Sequence, residues 1–137
     1  MKMTRTLVAL PLLAGLAVAC TEVVKSMPMP EEGQAIFNRN CALCHGENAD
    51  ITARETSLKA PDLRRITARN GGEFPRAKVM SQIDGYGRGK VGVENMPEFG
   101  TLLEGELIPV EVNGTLTPTP RPLAALMTYL ESIQPEG

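Results

Sequence analysis

The chain has 137 residues, 42% hydrophobic and 22% charged: enough for one packed domain, short for two, and too apolar for a disordered chain. Its formal net charge is −2 with no basic block, which excludes the phosphate-neutralising surface of a nucleic-acid binder. Three Cys and one His exclude a four-Cys or two-Cys, two-His zinc site and a multi-bridge disulfide scaffold, and a three-Cys, one-His site would use them all.

Lys2 and Arg5 precede an uncharged apolar run from Leu7 to Ala19. A spanning helix needs roughly 20 apolar residues, so thirteen read as a signal peptide over residues 1–19. The run closes Leu16-Ala17-Val18-Ala19-Cys20. Ala17-x-Ala19 suits an ordinary signal peptidase, with Cys20 beside the cut by chance. The same residues resemble a bacterial lipobox, which would make Cys20 a lipidated N-terminus bound to the membrane surface. Either cut implies export to the periplasm. Cleavage removes two cations and takes the formal charge from −2 to −4. Residues 20–30 carry two prolines and no helical period, as a tether does.

The domain is expected over 31–137. Glu31 to Asn40 reads as a helix, with Pro30 and two acids at its start and Ala35, Ile36 and Phe37 on its apolar side. Residues 46–60 are polar and irregular, and Asp62 to Arg69 reads as a short helical piece. Val79, Met80 and Ile83 recur at helical spacing within Phe74–Asp84, and Gly85 stops that helix. Tyr86 to Gly100 is loop. Asn113-Gly114 marks a tight turn in a small hairpin near 108–117, which the prolines at 109, 118, 120 and 122 should keep short. From Pro122 to Ile133, Leu123, Leu126, Met127, Leu130 and Ile133 form one apolar stripe. The expectation is an all-α domain with long loops.

Cys41-Ala42-Leu43-Cys44-His45 is C-x-x-C-H, the covalent haem attachment signature. A turn of helix places Cys41 and Cys44 on one face, where both thiols reach the two vinyl groups of one macrocycle. His45 then turns its imidazole to the iron. One covalent haem c, held through Cys41 and Cys44, would also supply core volume to a chain with 4% aromatics and no Trp. The alternative is a dithiol redox pair, which expects a βαβ pattern that this sequence lacks. His45 is the only histidine, so ligation by two histidines of one chain is impossible. Of the methionines after the tether, Met80 and Met127 sit on apolar stripes and read as core. Met96 lies in a glycine-rich loop, and Pro97 biases it toward extended backbone, so Met96 is the candidate sixth ligand.

Over about residues 31–134 the chain resembles the monohaem class I cytochrome c family in its bacterial exported form. The resemblance rests on Gly33-x-x-x-Phe37, Cys41-Ala-Leu-Cys44-His45-Gly46, Ala60-Pro61-Asp62-Leu63, Met96-Pro97 and the last helix with Tyr129-Leu130. It implies the cytochrome c fold, three to five short helices around one haem. It implies a close crossing of first and last helices at Gly33, with Phe37 against Tyr129. It also implies that the Pro61 carbonyl accepts the Nδ1 proton of His45. Residues 105–120 exceed what the smallest members need; they could cover a haem edge or form a partner surface.

His/Met ligation closes the iron and favours the ferrous form, which points to a one-electron carrier rather than an enzyme. Arg65, Arg69, Arg88 and Lys90 are candidates to offset the propionates. An acidic carrier expects redox partners, or a membrane respiratory complex, with a basic docking face. The rival readings are a haem subunit fixed in a respiratory or dehydrogenase complex, and a five-coordinate haem sensor or enzyme.

Overall fold

The computed structural model describes residues 27–53, 59–86 and 96–135. The expected signal peptide, Cys20 and most of the tether lie outside the described residues, as do Arg88 and Lys90. Five helices and one two-stranded antiparallel sheet are present among the described residues.

Helix α1 spans Pro30–Asn40. Pro30 stands in its first turn, and the Glu32 carboxylate accepts from the Met29 N–H at 3.3 Å. Helix α2, Ala42–His45, is a single turn that follows directly. The irregular stretch after it contains two 3-10 turns, Glu47–Ala49 and Ile51–Ala53. A 3-10 turn at Leu63–Arg65 leads into α3, Ile66–Arg69, and the Asp62 carboxylate caps it by accepting from Arg64 N–H. Helix α4 runs Arg76–Asp84 and stops at Gly85, whose φ of 93° suits a residue without Cβ.

Strands β1, Leu107–Val112, and β2, Thr115–Pro120, pair from Leu107↔Pro120 to Val112↔Thr115. Asn113 and Gly114, both at positive φ, make the turn. Each strand has six residues: the hairpin is small, as expected, but it runs on through Pro118 and Pro120. The register gives the reason. In a two-residue hairpin the pair beside the turn exchanges hydrogen bonds, and bonded and non-bonded pairs then alternate. Pro109↔Pro118 and Leu107↔Pro120 therefore fall on non-bonded pairs. A proline there forfeits no ladder bond. Arg121 N–H donates to Glu106 O at 2.8 Å, the next bonded position in that alternation.

Helix α5, Arg121–Ser132, is the centre of the domain. The sequence predicts one apolar stripe, but burial is nearly continuous from Leu123 to Leu130. Ala125 and Tyr129 face α1 at Gly33, while Leu126 and Leu130 face the site described below. Ala124 packs on Ile108 and Val110 of the hairpin. The close α1–α5 crossing occurs where the glycine indicates. The Phe37 and Tyr129 rings meet there at 5.3 Å in a tilted arrangement. The main core joins Phe37, Ala49, Ile83, Leu103, Leu126 and Leu130. The architecture is mostly helical, as expected.

Candidate functional site

Cys41, Cys44 and His45 occupy one backbone turn. Cys44 N–H and His45 N–H both donate to Cys41 O, at 3.1 and 3.0 Å. This turn follows α1 without a linker, because Cys41 N–H still bonds back to Phe37 O at 2.7 Å. The three functional side chains are thus carried on the turn that directly continues α1, the helix that Gly33 lets close on α5. Cys41 and Cys44 are not bridged to each other. Burial, and secondarily the neighbouring Cys44, pushes the Cys41 thiol up to about 11. Dithiol redox proteins instead lower their attacking thiol, so this setting disfavours the dithiol alternative.

His45 is 8% exposed, and its Nδ1 lies 3.3 Å from Pro61 O. A proton on Nδ1 donates along that line, fixes the ring and leaves Nε2 as the ligating nitrogen. The Pro61 segment is itself held. Arg69 donates to Asp62 O at 2.7 Å. The Gln134 side chain bonds Leu63 O and Thr67 N–H, which ties the segment to the C-terminal end of α5.

Met96 enters from the chain after α4. Phe99 N–H donates to Ile83 O at 3.0 Å, so the Met96–Phe99 segment is stitched to the end of that helix. Gln82 Nε2 lies 3.7 Å from Met96 Sδ.

These residues line one apolar cleft of about 480 Å³. Cys41, Cys44, His45, Pro61 and Met96 all reach it, and its apolar walls come from Leu126 and Leu130 of α5 and Val79 and Ile83 of α4. Met80 and Met127 do not line it, and Met127 is buried in the core. Of the four cations considered for the propionates, Arg65 and Arg69 do not line the cleft; Lys59 and Lys78 do. Lys78 precedes Val79 on α4, and Lys59 precedes the Ala60-Pro61 pair, but neither carries a local signal that separates it from a solvated lysine. Gln82 was equally missed. Its position three residues after Val79 on the same helix face is the signal that finds it. Residues 105–120 do not line the cleft.

A cofactor-sized site commonly spans 300–1,000 Å³ with apolar walls and few polar groups. Two unbridged thiols one turn apart, an oriented imidazole and a thioether share such a site here, so the residues present fit a c-type haem. Among the described residues no group of three or more His, Cys, Asp or Glu is placed to hold a metal ion instead.

Such a donor set on a small helical domain defines a haem-binding protein of the c type. The family model for cytochrome c matches residues 30–134, and the chain belongs to the cytochrome c family. Members are haem-binding electron carriers, and the domain implies a covalent c-type haem. No curated protein and no solved structure matches the chain.

Proposed function

We propose that this protein is a periplasmic one-electron carrier, not an enzyme, whose single haem is joined to Cys41 and Cys44 and ligated by His45 and Met96. The convergence of a thioether and an oriented imidazole on one apolar cleft carries this reading. When bound, the haem iron supplies one-electron redox chemistry between its ferric and ferrous forms. The chain does the rest. Cys41 and Cys44 hold the group permanently. Pro61 O orients His45 and raises its basicity. Gln82 and the stitch from Phe99 to Ile83 hold the Met96 thioether in place. Leu126, Leu130, Val79 and Ile83 exclude water and lower the local polarity, which favours the ferrous form.

The leader and Cys20 support export and a lipid anchor; no helix among the described residues is long and apolar enough to cross a membrane. Intact-mass measurement of the membrane fraction should find lipid on Cys20, and a soluble chain with an unmodified N-terminus would remove the anchor. The partners are redox proteins or a membrane respiratory complex.

The visible spectrum of the oxidised, haem-loaded protein tests the ligation. A weak far-red band from Met sulfur to ferric iron is expected in the wild type and lost in Met96→Ala. A wild type that lacks the band and binds carbon monoxide when reduced has an open iron, and the sensor or enzyme reading replaces the carrier.

A further inference from the structure

The hairpin has two unlike faces. Ile108, Val110 and Thr119 point inward and are 1% exposed. The outward set is Leu107, Pro109 and Glu111 on β1 and Leu116, Pro118 and Pro120 on β2. Leu107 is 55% and Leu116 67% exposed. On an ordinary half-solvated sheet this face is polar. Here five of its six positions are apolar, and the single charge is Glu111, with Glu104 exposed just before β1.

The edges of the same hairpin are interrupted by proline. Pro109, Pro118 and Pro120 occupy non-bonded pairs, where a residue's N–H would point away from the partner strand. The prolines therefore remove one of three outward donors on β1 and two of three on β2, while Leu107, Glu111 and Leu116 keep their N–H groups. The prolines hinder strand addition, most on β2, and the outward face stays apolar along the whole hairpin, so the face is the larger element for recognition.

Composition and charge narrow the occupant. A bilayer interface favours aromatic and basic side chains around an apolar patch, and this face has neither. A second copy would bring its own net negative charge against Glu111 and Glu104. We infer that the outer face of the β1–β2 hairpin is a docking surface for a partner protein that offers an apolar strip with Lys or Arg opposite Glu111. Ala124 fastens the hairpin to the face of α5 away from Leu126 and Leu130, so docking there leaves the cleft uncovered. This goes beyond the carrier reading: it assigns a holding surface separate from the site of electron exchange.

The test uses the full haem-loaded chain in intact cells, with a benzophenone side chain at position 116 or, as control, at exposed position 53. Docking predicts one protein adduct from Leu116 and none from Ala53. The linked partner peptide should carry Lys or Arg beside apolar residues. Adding Glu111→Lys should lower the yield about tenfold by reversing the complementary charge, while Glu111→Gln lowers it less. An unchanged visible spectrum in each variant shows that the haem domain is intact, independently of docking. Adducts to lipid or to a second copy, equal yield from position 53, no adduct, or indifference to Glu111→Lys would each overturn the assignment.

Discussion

Gly33→Ala weighs the helix crossing against helix propensity. Ala is better than Gly inside a helix by about 1 kcal/mol, so propensity alone predicts stabilisation. A Cβ at position 33 would stand 2.6 Å from Tyr129 Cβ and 2.6 Å from the Ala125 carbonyl carbon, and would press on the Ala125 oxygen. Carbon pairs prefer about 3.5–4.0 Å, so the helices must part by about 1 Å. No rotamer change relieves this, because every opposing atom is backbone or Cβ. Overpacking costs about 1–3 kcal/mol. Parting also loosens the Phe37–Tyr129 pair, worth about 0.5–1.5 kcal/mol. The packing terms win, and the variant should lose about 2 kcal/mol. For a domain near 100 residues that is roughly 10 °C in Tm. Guanidinium unfolding of the haem-loaded protein, followed by circular dichroism and visible absorption, measures it. Ala35→Gly, exposed on the same helix, calibrates propensity and should lose about 1 kcal/mol. A Gly33→Ala midpoint at or above wild type, with unchanged slope, would refute the close crossing.

Other expectations follow from the same geometry. The Tyr129 hydroxyl is buried with no hydrogen-bond partner among the described residues, so Tyr129→Phe should raise stability by about 1 kcal/mol in thermal unfolding; a loss would mean the hydroxyl is satisfied. Arg76 forks onto Glu131 at 2.7 and 3.0 Å and reaches Glu111 O at 2.9 Å. Arg76→Lys keeps the charge but loses the fork, and should cost about 1 kcal/mol or less because the pair is partly exposed; an equal unfolding midpoint would show that the fork contributes nothing. Electron exchange with a basic partner should slow as ionic strength rises in stopped-flow measurements; rates indifferent to salt would remove electrostatic docking.

What could be read before folding was the local chemistry. Cys41, Cys44 and His45 share one turn, so their spacing already states their geometry. Asn113-Gly114 defines a turn by backbone conformation alone. Gly33 signals a neighbour because a helix accepts a glycine at a cost. The small hairpin was legible too, but it extends through Pro118 and Pro120 because all three prolines within the strands fall where the ladder needs no donor, a matter of phase that counting prolines ignores. The single stripe on α5 was too narrow for a different reason. Hydrophobic periodicity marks large side chains, whereas the contacts to α1 and to the hairpin use Ala125 and Ala124, which carry little apolar weight. No spacing in the sequence singles out the cations that stand at the cleft. Which lysine reaches the cleft depends on how α4 and the Ala60-Pro61 segment meet, and no local pattern encodes that.

The position of α5 explains how so aromatic-poor a chain holds together. Its three buried faces do different work. The α1 face needs small residues, since backbone approach and the Phe37–Tyr129 pair make the contact there. The hairpin face needs only Ala124, since Ile108 and Val110 supply the bulk. The cleft face carries Leu126 and Leu130 toward a space of about 480 Å³ that side chains do not fill. Core volume is thus divided between protein and cofactor. The turn that carries the attachment cysteines continues α1, the helix that meets α5 at Gly33. A shift in that crossing therefore moves the thiols and His45 relative to Leu126 and Leu130. Stability and cofactor geometry are set by the same contact. For that reason the spectrum of Gly33→Ala should be read together with its unfolding midpoint.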